Sequence, residues 1–389
     1  MGAGPVGLTI ALLLQRGGIP FTLLEASSTL SEDLRASTFH PPTLDMLDSV
    51  GIATPLIELG LKSPTWQVRM HRTGERAVFD LSAVGDATGH PYRLQCEQSK
   101  LCRILLDRIL AAGGDVRMGM RVDAVSQNSS GVRIDARGED GEASEFTGRY
   151  VIGADGARSI VRRALDFRFE GSTYPETTIL ATTQFPFEEH LPGLSNVNYV
   201  WKDGGTFSLL RLPGLWRCSL YPDEGETIED ALNPESIDRK LQAIAPSPAG
   251  HDVQEFRPYR IHMRIVDEYR SGRVLLAGDA AHVNSPSGGM GMNGGIHDAF
   301  NLADKLAAVL AGADDRLLDL YSRQRQPIAK EQILQQAHRN RTRMQERDPV
   351  KRREELGRLQ AIAADRDQAR AFLLKSSMIE GLRLAETIQ

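Results

Sequence analysis

Glycine turns that carry a carboxylate bind phosphates and sugar hydroxyls, and this chain has several. In the segment 272–306 an apolar run, Val274–Ala277, ends in Gly278-Asp279, passes Pro286 and a glycine cluster, and opens a helical pattern near Gly291. A carboxylate at a strand end can accept hydrogen bonds from a polyol. The N–H groups of a helix start favour phosphate or a developing negative charge. Glycines let the backbone approach a flat cofactor with no Cβ in the way. Asp279, Pro286, Gly291, Met292 and Asn293 are therefore the candidate contacts of this segment.

Two further motifs agree with it. Gly2, Gly4 and Gly7 spell GxGxxG before an apolar helix pattern (Leu8, Ile10, Ala11, Leu13, Leu14), and the strand-like run Phe21–Leu24 ends in Glu25. This is a dinucleotide fingerprint: glycines for the turn, a helix N-terminus for pyrophosphate, and an acid ~20 residues on for ribose hydroxyls. The run Tyr150–Ile152 leads into Gly153-Ala154-Asp155-Gly156 and another helix pattern. Asp-Gly also suits a plain turn; its place between the other two motifs gives Asp155 the cofactor reading.

The elements that must position these residues follow from periodicity. Residues 1–165 alternate strand and helix signals, with an amphipathic helix at Leu101–Ala112 and strands at Arg121–Val125 and Val132–Ala136. Between 166 and 265, β-like runs at Thr178–Thr182, Val197–Trp201, Phe207–Leu212 and Trp216–Tyr221 are separated by Gly and Pro. They predict an antiparallel sheet inserted into the nucleotide-binding fold. Residues 266–326 return to complete the cofactor site, so that unit is discontinuous, and 327–389 are helical in composition. The charged section 340–358 reads as solvated helix faces, with a homodimer contact as the alternative. Substrate groups must come from the inserted sheet, where Tyr199, Tyr221 and His262 are the side chains able to relay a proton. His282 reads as support for the Asp279 loop, and Asp298, next to His297, as a first-turn helix stabiliser.

Composition removes other classes. The net charge is −5 with no dense basic patch, which argues against nucleic acid. Cys96, Cys102 and Cys218 form no CxxC pair, so they read as reduced thiols in a cytoplasmic protein without a metal site. A membrane span or signal peptide is not expected either.

In this order the three motifs resemble the single-component FAD-dependent aromatic hydroxylases, the p-hydroxybenzoate hydroxylase-like monooxygenases. The segment Arg35–Leu44 resembles that family's arginine-led stretch, and Gln98 and Val122 fall where its members contact FAD. The resemblance implies an α/β, Rossmann-like FAD-binding fold (GR2 type, discontinuous), with an inserted antiparallel β-sheet substrate domain and C-terminal helices. It implies cofactor contacts from Gly2, Gly4, Gly7, Glu25, Arg35, Gln98, Val122, Asp155, Asp279, Pro286, Gly291, Met292 and Asn293. It implies FAD reduced by NADPH or NADH, O2 activated as a C4a-hydroperoxyflavin, and hydroxylation of a small phenolic, aromatic-acid or polyketide-like ring. A reductase or epoxidase of the same superfamily, or a catalytically silent flavin-binding protein, is the alternative. The chain departs from the family in one place: Met1 directly precedes Gly2, where an apolar central strand is expected. Its loss would split the parallel sheet. A start site assigned too late is the preferred explanation, and a real truncation with weak FAD binding the other. The thioredoxin-like third domain of the phenol-hydroxylase branch is not expected in a chain of this length.

Overall fold

The computed structural model describes residues 1–32 and 36–389. Helix α1 (Pro5–Arg16) opens on proline, whose missing N–H costs nothing in the first turn, and buries Val6, Leu8, Ile10 and Leu14. Strand β1 (Thr22–Leu24) follows, then β2 (Thr65–Met70), β3 (Arg76–Asp80) and the short β4 (Arg93–Gln95). Helix α2 (Gln98–Ala111) turns Leu101, Leu105 and Ile109 inward. Strand β5 (Asp115–Arg117) pairs in parallel with β1. An antiparallel meander, β6 (Arg121–Gln127), β7 (Val132–Arg137) and β8 (Ala143–Gly148), precedes β9 (Val151–Gly153).

Two long strands, β10 (Phe169–Thr183) and β14 (Val253–Val266), bracket β11 (Val197–Lys202), β12 (Gly205–Leu212) and β13 (Leu215–Leu220). Then come β15 (Arg270–Ser271), β16 (Val274–Leu276), β17 (His282–Val283) and the 20-residue α3 (Gly291–Leu310). The chain ends in α4 (Leu317–Ile328), α5 (Gln335–Gln345), α6 (Pro349–Ala364), α7 (Arg366–Ser376) and α8 (Ile379–Thr387). No helix among the described residues is long and apolar enough to cross a membrane.

The cofactor-type parallel strands lie in two separate pieces. One piece is β1–β5; the other is β9–β16–β15, with β9 and β16 parallel. Residues 1 and 2 stitch the two together. The Met1 ammonium donates to Ile152 O at 2.8 Å, Ala154 N to Met1 O at 2.9 Å, and Gly2 N to Leu24 O at 2.8 Å. Burial lowers the pKa of that ammonium.

The large sheet has eight strands in the order β17-β14-β10-β13-β12-β11-β2-β3. It is mixed, since β11 and β2 run parallel with Tyr199 opposite Val68. Three of its strands, β2, β3 and β17, come from outside residues 166–265. Alternation explains its two faces. On β13, Trp216, Cys218 and Leu220 fill a hydrophobic core with Phe207 and Leu209, which turns Arg217 and Ser219 to the opposite side.

The C-terminal helices clasp this sheet. Pro327 sits inside α4, and the chain passes through a π-helical stretch, Ala329–Leu334, before α5. The section 340–358 is only partly solvated. Trp201 Nε1 donates to Arg343 O at 3.1 Å, and Arg352, 5% exposed, donates to the carbonyls of Lys202, Gly205 and Glu346. Long side chains bury their stems and find carbonyls, so charge alone did not predict exposure.

Candidate active site

A cavity of about 780 Å³ opens where the three motifs converge. Gly4, Glu25, Gln98, Val122, Asp155, Asp279, Pro286, Gly291 and Met292 all line it. Gly2 and Gly7 do not line it but pack the turn behind it. A Cβ on Gly7 would lie 1.9 Å from Gly2 O, and one on Gly2 (φ +96°) 2.4 Å from Ala154 O, so neither position admits a side chain. At Gly4 a Cβ would meet nothing within 4 Å, because that side faces the cavity. Arg35 lies outside the described residues.

The carboxylates differ in how much of their capacity the protein uses. Glu25 accepts Ala3 N at 2.7 Å and Ser27 N at 2.9 Å, one on each oxygen, and each oxygen keeps a second lone pair. Asp155 Oδ2 accepts Ile160 N at 2.7 Å, while its buried Oδ1 has no partner. Asp279 is exposed between buried Gly278 and Ala280, so its side chain projects into the cavity. Arg121, Arg158 and Arg163 add positive charge to the wall. In the first turn of α3, the N–H groups have no acceptor within the helix. An orphaned acceptor, a tight glycine turn, free helix N–H groups and a cationic wall suit a phosphate- and polyol-bearing ligand such as FAD.

Asn293 does not line the cavity. Its Oδ1 accepts His40 N at 2.9 Å, and its Nδ2 donates to Thr38 O and Gly289 O at 2.8 and 2.6 Å. The side chain ties the loop 284–290 to residues 38–40. His40 completes this tie through Nε2 to Gly288 O at 2.8 Å; burial, with Arg93 nearby, pushes its pKa down to about 3.

Asp298 is not a first-turn residue: α3 begins at Gly291, two turns earlier, so the helix-end effect does not reach it. It is instead a buried cross-link. Its Oδ2 accepts Gly278 N at 3.1 Å and meets His282 Nε2 at 2.8 Å, and its Oδ1 accepts Arg325 Nε at 2.7 Å. Burial opposes its charge, but Arg325 and His282 outweigh burial and hold the carboxyl below its ordinary pKa. His282 thus supports the Asp279 turn, through Asp298. His297 is buried against Thr43 Oγ1 at 2.8 Å, and burial keeps its pKa well below the ordinary value.

A smaller cavity, about 60 Å³, adjoins the first and shares Thr38, Arg217, Tyr259, Pro286 and Gly289 with it. Tyr199 and Tyr221 line it. Burial raises the Tyr221 pKa. His262 lines neither cavity. It sits opposite Thr173 on the outer β10–β14 ribbon, with Nδ1 2.9 Å from Thr173 Oγ1, too far along the strand to face the site.

Sequence reasoning missed Arg217, Tyr259 and Met344. The alternation Trp216-Arg217-Cys218-Ser219 carried the signal for Arg217: a charge in the polar phase of a strand whose other phase is core. Nothing local marked Met344, which reaches the smaller cavity from α5.

Known proteins share this arrangement. The family described as "FAD binding domain" matches residues 1–337. The chain is 34% identical to para-nitrophenol 4-monooxygenase of Pseudomonas sp. (strain WBC-3), over 99% of this chain and 96% of that protein. It is also 34% identical to 6-hydroxy-3-succinoylpyridine 3-monooxygenase of Pseudomonas putida, over 84% and 83% of the two chains. Among solved structures, p-nitrophenol 4-monooxygenase from Pseudomonas putida DLL-E4 superposes with a TM-score of 0.91 at 30% identity, covering 98% of this chain and 96% of that one. Aklavinone-11 hydroxylase in complex with FAD and aklavinone gives 0.79 at 27% identity, over 88% and 68%. On the cavity geometry and these likenesses together, the chain belongs to the FAD-binding-domain family of aromatic-hydroxylase monooxygenases.

Proposed function

We propose that this protein is an FAD-dependent monooxygenase that uses NADPH or NADH and O2 to hydroxylate a small phenolic or related aromatic compound. The observation that carries the reading is the contact between the two cavities, one suited to a dinucleotide and one walled by aromatic and hydroxyl side chains. The names of the relatives, which act on nitrophenol and a hydroxypyridine, support the same substrate class.

FAD, when bound, supplies the reducing equivalents from the nicotinamide and the activation of O2. The chain's own residues do the rest. Gly2, Gly4 and Gly7, with the start of α1, take the pyrophosphate; Glu25 takes ribose hydroxyls; Asp279 and Asp155 take hydroxyls of the polyol. Gln98 and Val122 add contacts along the adenine half. The N–H groups at Met292 and Asn293 favour negative charge at the start of α3. Pro286 and Gly289 separate the cavities, and Met344 closes the smaller one against water. Tyr199 or Tyr221 orients the hydroxyl of the substrate. In this reading residues 1–165 and 266–326 hold the cofactor, and β2 and β3 extend the sheet that carries the smaller cavity.

The test is substrate-stimulated NAD(P)H oxidation by FAD-reconstituted protein across a panel of phenols and hydroxybenzoates. One hydroxylated product per nicotinamide oxidised is expected. Reduction of an apolar olefin or its epoxidation, without phenol turnover, would move the assignment within the superfamily. Protein that stays colourless after FAD addition would end it.

A further inference from the structure

Several buried arginines in this fold are held by protein oxygens, whereas Arg93, next to the smaller cavity, keeps two buried nitrogens without a partner. Arg325 has the Asp298 carboxylate and Gly294 O; Arg352 has three carbonyls; Arg162 has Ala157 O and Ala280 O. Arg93, on β4, is 2% exposed, yet its Nε and Nη1 have no hydrogen-bond partner. Its guanidinium lies 4.9 Å from the centroid of Trp66 and within hydrogen-bonding reach of the Tyr199 hydroxyl. Trp66 meets Tyr199 edge-on at 6.0 Å. No carboxylate is paired with Arg93 among the described residues. Desolvating a cation costs several kcal/mol even after relaxation, so a guanidinium kept without an acid calls for a function.

We propose that Arg93 is a positioning residue which, through Tyr199, makes the smaller cavity select an aromatic compound with an acidic hydroxyl and bind it ionised. This rests on the hydroxylase reading above. Arginine donates and never accepts. Tyr199 is near enough to feel both Arg93 and Arg217, a second buried cation that lines the cavity. With Arg93 donating to its oxygen, the tyrosine's own proton is left to point at an acceptor in the cavity. An ionised hydroxyl on the substrate is such an acceptor, and its proton leaves to solvent on binding. Thr38, Thr178, Thr206, Ser208 and Ser219 supply adaptable hydroxyls around it, and no carboxylate lines this cavity among the described residues. The other titratable or charged groups facing the spot are His40 beside Arg93, Arg257 behind Arg217, Tyr221 with Glu176 and Arg341 near it, and Tyr259.

The experiment uses 4-nitrophenol, whose phenolate absorbs visible light and whose neutral form does not. It is titrated into the FAD-loaded holoenzyme without nicotinamide at a series of pH values. The ionisation midpoint of the bound probe is expected about 1–3 pH units below that of the free probe. Each pH unit is about tenfold in preference for the ionised form. Arg93→Gln should lose most of that shift and raise KM more than it lowers kcat, with flavin content unchanged; Arg93→Lys, which keeps the cation, should retain part of it. An unshifted midpoint in the wild type overturns the inference, and so does the full shift persisting in Arg93→Gln. Flavin-loaded protein that binds none of a panel of nitro- and halophenols also overturns it. If Arg93→Gln does not fold, the wild-type midpoint and its change in Arg93→Lys decide. Protein that takes up no flavin defeats the underlying hydroxylase reading instead, which separates the two failures.

Discussion

The two adjoining cavities are built from different material. The larger is shaped by backbone: a turn packed tightly at Gly2 and Gly7, open space at Gly4, helix starts at α1 and α3, and a few carboxylates at strand ends. The smaller is shaped by side chains at alternate positions of β10, β11, β12 and β13, with Tyr259 from β14 and Met344 from a helix far along the chain. The turn behind the larger cavity therefore admits no side chain at Gly2 or Gly7, although Gly4 has room for one. The smaller wall can be recut one side chain at a time, which is how a shared cofactor machine serves many aromatic rings.

Substitutions can break that contrast or sharpen it. The largest effect is expected from Gly7→Ala, because its new Cβ would collide with Gly2 O. Flavin content after reconstitution should fall by more than about tenfold, and the melting temperature should drop, since forcing atoms into a packed site costs about 1–3 kcal/mol or more. Normal yellow protein would mean that α1 and the first turn do not meet as described.

A smaller effect separates the cavities directly. Asp279→Ala removes a hydroxyl acceptor and should weaken FAD binding by about 1–3 kcal/mol, read as a raised Kd in flavin-fluorescence titration. Tyr221→Phe should leave that Kd unchanged and lower aromatic turnover instead. If Tyr221→Phe strips flavin, or Asp279→Ala changes only turnover, the division of labour is wrong.

The least effect concerns the tie between the two regions. Folded His40 titrates at about 3, below its ordinary value of 6.5, because burial disfavours the cation. The unfolded chain therefore binds the proton first. The stability His40 provides is complete above about 6.5 and is lost progressively as pH falls towards about 3. The melting temperature should decline across that window, and His40→Gln should flatten part of the decline while costing some stability at neutral pH. An equal decline in the variant would place the acid sensitivity elsewhere, for instance at His297, which burial also keeps neutral.

The legible part of the site was the part in which glycine or a strand-end carboxylate is required by geometry. Nine of the cofactor residues expected from sequence line the larger cavity. The side chain of Asn293 serves the loop 284–290, a use that no spacing rule reveals, which leaves only its backbone N–H for a ligand. Asp298 was misread as an end effect although it lies two turns into a helix that starts at Gly291, and its partners, His282 and Arg325, come from segments that sequence spacing does not link to it. His262 failed because a proton-carrying side chain on a strand reveals neither how far along the ribbon it sits nor which groups lie opposite.

By itself the sequence determined the nucleotide-type fold, the three convergent motifs, and the split at the first strand, because each depends on local backbone needs that particular residues satisfy. Tertiary structure alone decided which sheet face lines the smaller cavity, that β2 and β3 join that sheet, and that Met344 of α5 reaches the cavity. It alone set Arg93 beside Tyr199. The meeting of residues 93 and 199, or of 217 and 344 around one cavity, arises from packing across long stretches of chain, and no local pattern in the sequence encodes it.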